Sequence, residues 1–471
     1  MDQASSHAHT WKLENTLVNP IASLSFVAVK PMAGGLLPAE TQRQPEKSSP
    51  PIVQTYTGGG KDGVDMRQAQ PQTEAPPKAT PPVLTTPGAK GEVGASEPII
   101  CDQREADTGQ LQPDSKIVCY DRKSVKALLG SLDHVGPGEI ELIISSCSIS
   151  TGEMEPLAKA LSEGKIEFAE LALDISALDQ RGVEVLVDLL KKSPCVRRLH
   201  LINHNNCGWS DQSWKLIADA LPEIRNLEAL DIHFGSSYGI NIENRQPLYA
   251  AIASCKSLRT VEFWSAGMNS PASRTLAESL RAHPGIKEVM LPDDALIAGH
   301  DHSALIQAIA SHPGIEQAEL SGALRQDDME ALMQKLETNT VLKSLRLDRI
   351  SLASNDDRFA QATQAMLRHN HTLVELHVSS HQMTDASVQI LANALAQNLS
   401  LRKFGLTAPL SYAKPTEKSV YAMIHMLDSN TAIREIDIDF YNKNTSGNWH
   451  MAVASHPAKR ELHDKLANKR I

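Results

Sequence analysis

Two histidines and an aspartate are the residues of this sequence whose types could bind a transition metal. His200, Asp231 and His233 offer imidazole nitrogens and a carboxylate, which zinc accepts as ligands in proteins. His200 lies 31 residues before Asp231, so the three residues form no compact ligand motif. We therefore predict solvated polar side chains on a binding face, with no metal ion and no cofactor.

The same stretch of the chain contains a group of residues suited to binding a protein. The group places the aromatic Trp264 among polar and apolar neighbours, and an exposed Trp in such surroundings has the composition of a binding hot spot. We call the group the candidate patch: His200, Ile202, Asp231, His233, Glu262, Trp264 and Met290. We expect the patch to bind a protein partner.

A short apolar pattern, repeated about eleven times, is what would bring these residues together. Each copy is apolar at its first, fourth and sixth places, as in Leu342-Lys-Ser-Leu345-Arg-Leu347, and alternation at the last two places indicates a strand. The segments between copies have helical spacing, as at Val388, Leu391 and Leu395. Parallel strands stacked ~4.8 Å apart would align the exposed places of successive copies in two rows. The clearest copies start at Ile286, Ile315, Leu342 and Leu373.

A repeat of this length, with L-x-x-L-x-L strands and a helix between copies, resembles the leucine-rich repeats of the ribonuclease-inhibitor class. The resemblance covers roughly residues 120 to 440. It implies an α/β solenoid, or horseshoe, with parallel strands on the concave face and helices on the convex face. Solenoids usually bind partners on the concave face. The sequence departs from the family because His204 and Pro409 occupy places where Asn or Cys is expected after a strand, and because the cysteine richness of the ribonuclease inhibitors is missing.

The chain divides into four parts. Residues 1–115 hold 14 of the 26 prolines and show no sustained apolar period, so we predict a disordered Pro/Ser/Gln-rich tail that carries a secretion signal. We expect residues 116–138 to form an N-terminal capping unit and residues 139–440 to form the repeats, which recur every 27–32 residues. Residues 441–471 are expected to form a C-terminal cap helix.

Composition disfavours several classes of protein. The formal net charge is −10 and the pI is about 6.0, which does not favour nucleic-acid binding. No apolar run reaches the ~18 residues that a membrane span requires, and the N-terminus lacks the pattern of a Sec signal peptide. Six cysteines at low density, without a C-x-x-C pair, indicate free thiols; Cys147, Cys195 and Cys255 fall on repeat positions where buried small residues pack.

One three-residue match indicates an enzyme class. Cys119-Tyr-Asp121 matches the C-x-D string of the ubiquitin-ligase domain that some bacterial leucine-rich-repeat effectors carry. In that family the cysteine belongs to a helical domain after the repeats, whereas Cys119 precedes them. No P-loop, H-E-x-x-H or G-x-S-x-G motif occurs elsewhere. We therefore predict no catalytic residues and no enzyme activity.

The layout of the chain, a long Pro-rich tail followed by leucine-rich repeats, resembles that of bacterial effectors delivered by type III secretion. The resemblance implies a virulence factor, secreted into a host cell, whose repeats bind a host protein. Two alternatives stay open. One is a leucine-rich-repeat regulator of a GTPase, although the acidic stretch that usually follows such repeats is absent. The other is a ubiquitin-ligase effector or adaptor, although no F-box helix pattern is found.

Overall fold

The computed structural model describes one compact unit of the chain, within Lys90–Ile471. The described residues are 99–100, 116–119, 121–132, 139–144, 147–164, 167–203, 209–235, 245–350, 356–380, 383–409, 417–443 and 449–451. The predicted disordered tail lies outside them except for residues 99–100, which form a short strand. Within the segment predicted to form the C-terminal cap helix, residues 441–443 and 449–451 are in strands, and the rest of that segment lies outside the described residues.

Every described strand belongs to a single sheet, in which the spatial order of the strands follows the chain. Neighbouring strands are parallel, except for the antiparallel pair formed by the last two. The strands are β1 (Ile99–Ile100), β2 (Lys116–Cys119), β3 (Glu139–Ile144), β4 (Glu167–Asp174), β5 (Arg198–Asn203), β6 (Ala229–Phe234), β7 (Thr260–Trp264), β8 (Glu288–Leu296), β9 (Gln317–Gly322), β10 (Ser344–Ile350), β11 (Glu375–Ser380), β12 (Lys403–Pro409), β13 (Glu435–Lys443) and β14 (Trp449–Met451).

A helix connects each strand to the next from β2 to β13, which confirms the predicted alternation of strands and helices. None of the described helices is long and apolar enough to cross a membrane. The helices are α1 (Arg122–Ser131), α2 (Thr151–Ser162), α3 (Gln180–Lys191), α4 (Asp211–Ala220), α5 (Gln246–Ala251), α6 (Ser270–Ala282), α7 (Ser303–Ala310), α8 (Gln326–Leu336), α9 (Asp356–His369), α10 (Asp385–Gln397) and α11 (Glu417–Ser429).

The core lies between the sheet and the layer of helices. Leu345 and Leu347 of β10 are fully buried, and so are Leu391 and Leu395 of α10. Since successive strand side chains point to opposite faces, the apolar fourth and sixth places face the helices, and the fifth place faces away from them. We call that second side of the sheet the open face.

The turns from helix to strand are held by a ladder of buried side chains that hydrogen-bond to the backbone. The amide of Asn370 donates to the carbonyl oxygens of Leu336 (2.6 Å) and Asn339 (3.1 Å) in the preceding repeat. Its Oδ1 accepts from the backbone N–H groups of Thr372 (2.9 Å) and Leu373 (2.7 Å). Asn370 therefore closes its own turn and ties it to the previous repeat.

Histidine takes the place of asparagine at two turns, but only His312 makes both kinds of bond. His283 Nε2 donates to the carbonyl oxygen of Cys255 (2.7 Å), and its Nδ1 has no partner among the described residues. His312 Nδ1 accepts from the backbone N–H groups of Gly314 (3.0 Å) and Ile315 (3.1 Å). The proton therefore lies on Nε2, which is 3.1 Å from the carbonyl oxygen of Leu280 and 3.2 Å from that of His283. The ladder residues all lie three places before the first apolar place of a repeat: His283, His312, Asn339, Asn370, Asn398 and Asn430.

The carboxyl ends of two strands depart from the regular pairing that the repeat predicts. The register shifts in β8 between Leu291 and Leu296, and in β10 between Leu347 and Ile350. Gly322 follows the first shift with a φ of +127°, and a Cβ there would lie 2.3 Å from the carbonyl oxygen of Leu296. Only glycine fits this close approach of two backbones.

Candidate functional site

The first row of side chains on the open face is formed as the repeat pattern predicts. Its members occupy the fifth place of successive repeats, and each is paired with the next in the strand register. The row consists of His200, Asp231, Glu262, Met290, Glu319, Arg346, His377, Gly405 and Asp437. Four members of the candidate patch are therefore neighbours in one line.

The second row is continuous across the remaining three residues of the patch and is interrupted after them. Ile202, His233 and Trp264 are paired in register along β5, β6 and β7. The pairing of β7 with β8 ends at Met290, so Pro292 does not continue the row beyond Trp264. All seven patch residues thus lie on four adjacent strands, as the sequence predicts.

The patch is less exposed than expected. Ile202 is buried, with 6% of its surface exposed, and the other six residues are half-buried. The aromatic rings cover one another: the ring centroids of His200 and His233 are 5.4 Å apart, and those of His233 and Trp264 are 4.5 Å apart. The expectation of an exposed Trp264 among solvated histidines is therefore wrong, because the tilted rings of neighbouring strands pack against one another and are partly shielded from water.

A histidine and a carboxylate approach each other at the centre of the patch. His200 Nδ1 lies 3.3 Å from Asp231 Oδ2. Burial lowers the pKa of His200 to about 4, so its imidazole is neutral at neutral pH. Burial, and then the charge of Glu262, raise the pKa of Asp231 well above its usual value. Among the described residues, the buried atoms His200 Nε2 and Asp231 Oδ1 have no hydrogen-bond partner.

The next carboxylate in the first row is also shielded from water. Burial raises the pKa of Glu262, the indole N–H of Trp264 partly offsets this effect, and the charge of Glu288 adds to it. Trp264 Nε1 is itself buried; its N–H lies near the Glu262 carboxylate but does not meet hydrogen-bond geometry with it or with another acceptor in the described residues. Neither Asp231 nor Glu262 forms an ion pair with a lysine or arginine within the part of the chain that the structure describes.

Further along the row, Glu319 has a cationic neighbour. Its carboxylate lies 3.7 Å from Arg346 Nε, and the Glu319 side chain is only 14% exposed. Burial nevertheless raises the pKa of Glu319 to about 7, because the loss of hydration outweighs the attraction of Arg346. The open face therefore holds three carboxyl groups that burial makes reluctant to ionise.

Three residues that could bind a metal ion are brought together by the strand register. His200, Asp231 and His233 each offer one ligand atom, and these atoms all lie within 4.8 Å of one another. The sequence alone could not show this, since the proximity depends on β5 and β6 pairing in one particular register.

Sequence reasoning missed a charged cluster at the strand ends beside the patch. Arg349 Nη1 lies 3.4 Å from Asp293 Oδ1 and 3.6 Å from Asp294 Oδ2. All three residues adopt positive φ values of 49–55°, which are costly for residues other than glycine. The sequence feature that could have indicated this cluster is Pro-Asp-Asp, which directly follows the apolar places of β8.

The C-x-D string has a structural explanation. Asp121 accepts a hydrogen bond from the backbone N–H of Ser124 (2.8 Å) and so caps helix α1, which lowers the pKa of Asp121. Cys119 is fully buried in the core at the end of β2. A thiol buried among apolar side chains is not placed to act as a nucleophile. Within the described residues Cys147, Cys195 and Cys255 form no disulfide; Cys255 is buried as predicted, whereas Cys147 and Cys195 are only half-buried.

Comparison with known proteins supports the same architecture. No family model matches the chain. The chain is 26% identical to the mouse ribonuclease inhibitor over 270 residues, which are 57% of each protein. It is 24% identical to the pig ribonuclease inhibitor over 300 residues, which are 63% of this chain and 57% of the relative. The chain thus spans a little over half of the length of these curated relatives.

These similarities agree with the repeating strands and helices of the described unit. Its repeats are similar to those of the ribonuclease inhibitors, and its fold is the α/β leucine-rich-repeat solenoid. A solved structure of leiomodin-1 actin-binding site 2 is also similar over 35% of this chain and 86% of that one, at 18% identity and a TM-score of 0.28, which is too low to bear on function.

Proposed function

We propose that this leucine-rich-repeat protein is a non-catalytic scaffold that binds a protein partner through the candidate patch on its open face. The observation that carries the proposal is the position of Trp264, a half-buried indole packed on His233 and bordered by Glu262. A preordered aromatic ring that is only partly covered loses little conformational entropy on binding and can still bury apolar area. The relatives are named as inhibitors of ribonuclease, which is itself a protein.

The partner we propose is a host protein, and the setting is a host cell into which the chain is secreted by a bacterium. The support is the layout of the sequence, with its Pro-rich first 115 residues ahead of the repeats. A reporter fused to the full chain should enter host cells from a bacterium with type III secretion. Entry that persists after removal of residues 1–115, or the absence of any entry, would contradict the effector role while leaving the scaffold role intact.

The scaffold role is tested by replacing Trp264. We expect full-length Trp264→Ala to bind a protein captured from plant or animal cell lysates at least ~2 kcal/mol, or roughly 30-fold, more weakly than the wild type. Affinity is measured by titrating the purified, identified protein against each variant. Circular dichroism checks that the fold is retained.

The matched control is Tyr421→Ala, which removes an exposed aromatic ring from helix α11 instead of the open face. The control should bind the partner as tightly as the wild type. Equal loss in both variants would indicate a nonspecific apolar contact. Unchanged affinity of Trp264→Ala would show that the partner binds elsewhere.

A further inference from the structure

The densest group of potential ligands in the described residues lies at the centre of the patch, where two imidazoles meet a carboxylate. His200 and Asp231 are paired across β5 and β6, and His233 lies on the same face of β6 as Asp231. Their ligand atoms lie within 4.8 Å of one another. A site with two imidazole nitrogens and one carboxylate oxygen favours zinc over calcium or magnesium.

We propose that His200, Asp231 and His233 form a binding site for a zinc-class divalent cation. The site has three protein ligands on two adjacent strands and leaves a fourth position open to water or to a group from a bound protein. It does not depend on the proposed partner, because all three ligands belong to this chain.

The distances fit a tetrahedral ion with a small adjustment. Two ligands of a zinc ion with bonds of ~2.1 Å lie ~3.4 Å apart. His200 Nδ1 and Asp231 Oδ2 are already 3.3 Å apart. The most distant pair must approach by about 1.4 Å from 4.8 Å, which is within the reach of side-chain rotation.

Unsatisfied polar atoms provide independent support. His200 Nε2 and Asp231 Oδ1 are buried and have no hydrogen-bond partner within the part of the chain that the structure describes. A buried polar atom without a partner costs ~1–3 kcal/mol, so such atoms call for an explanation in a native structure. A cation bound by both oxygens of the Asp231 carboxylate would supply the missing interaction of Oδ1, whereas His200 Nε2, on the ring edge away from Nδ1, would still need another partner.

The negative charge around the site also favours a bound cation. Asp231 and Glu262 are neighbouring half-buried carboxyl groups, and no lysine or arginine pairs with either of them in the described residues. Two carboxylates in this position repel each other unless a positive charge lies nearby. A divalent cation at Asp231 would offset both charges, whereas Glu319 in the same row has Arg346 for this purpose.

The test compares zinc binding by the full chain and by variants that keep the size of each side chain. The wild type, stripped of metal with a chelator, is titrated with zinc chloride at neutral pH in a calorimeter. We expect one tight site per chain, and a loss of at least about 10-fold in affinity in Asp231→Asn and in His200→Gln. The control, His377→Gln, removes a half-buried histidine of the same row and should bind zinc as the wild type does.

A second measurement separates this site from zinc bound to other histidines or thiols of the chain. Cobalt(II) in place of zinc should give the visible absorption of a four-coordinate site, and His233→Gln should remove that absorption. Zinc and cobalt binding that is the same in the wild type and in folded Asp231→Asn, or the absence of any tight site in the wild type, would overturn the proposal. Circular dichroism establishes that each variant is folded.

Discussion

Glu319 shows how position in a sheet changes the chemistry of one side chain. Glu316, three residues earlier, is paired with Lys287 and Lys343, and these partners lower its pKa. Glu319 points to the open face, where burial raises its pKa to about 7 despite the nearby Arg346. The two carboxyl groups should therefore affect stability with opposite dependence on pH.

The pH dependence has a definite sign for Glu319. Between its usual pKa of 4.5 and its folded value of about 7, the folded protein retains a proton that the unfolded chain has lost. Stability therefore falls as the pH rises through this window. We expect Glu319→Gln to be more stable than the wild type at about pH 8, by no more than ~3 kcal/mol, and equally stable at about pH 4.

Urea unfolding at both pH values measures this difference in the free energy of unfolding. Glu316→Gln is the matched control, since it removes a carboxylate that its lysine partners stabilise and should give no gain at high pH. A Glu319→Gln variant that is no more stable than the wild type at the higher pH would show that Arg346 fully compensates for burial.

The turns that lead from a helix into the next strand share a regular pattern of hydrogen-bonding side chains. The turns that lead from a strand into the next helix do not. The family pattern predicts asparagine or cysteine after each strand, and this chain often has other residues there. The structure places the ladder of asparagines and histidines before each strand from β8 to β13 instead, where Asn370 and His312 make equivalent hydrogen bonds. The side chains that hydrogen-bond to the backbone therefore lie in the turn before the strand and not in the turn after it.

This equivalence predicts the effect of replacing His312. His312→Ala leaves the buried N–H groups of Gly314 and Ile315 without an acceptor, so we expect a loss of ~2–4 kcal/mol in the free energy of unfolding. His312→Asn should lose less than half as much, because the amide of Asn339 makes the same contacts one repeat later. Chemical denaturation measures both. Equal losses would show that the imidazole acts by filling space.

In the described unit as a whole, we expect the stability of each repeat to depend on its contacts with the repeats directly before and after it. Each strand from β3 to β12 pairs only with the strands directly before and after it, and the core continues from one repeat to the next. In such a one-dimensional array, damage to one repeat weakens its neighbours more than distant repeats.

Leu345→Ala tests this expectation. Leu345 is fully buried in β10, so its truncation should cost ~2–5 kcal/mol. Amide hydrogen exchange should become faster mainly in β9, β10 and β11, with little change in β4 and β5. Uniformly faster exchange across all strands would show that the array unfolds as a single cooperative unit.

The repeat pattern by itself determined the fold and much of the site's layout. Apolar residues at fixed places admit one register, because a shift of one residue would turn each strand's apolar side chains away from the helices. The alignment of His200, Asp231 and Glu262 follows from that register and is confirmed. The ladder could also have been found in the sequence, since Asn398 and Asn430 share the same offset from the next apolar place.

Only the tertiary structure decided how exposed these side chains are and where the regular pairing ends. A repeat pattern specifies which face a side chain is on, but the stacking of His233 on Trp264 depends on the rotamers that neighbouring strands allow. The shift in β8, with Asp293 at positive φ, depends on the approach of its backbone to Gly322 in the next repeat. Such contacts join residues far apart in the chain, so no local pattern encodes them.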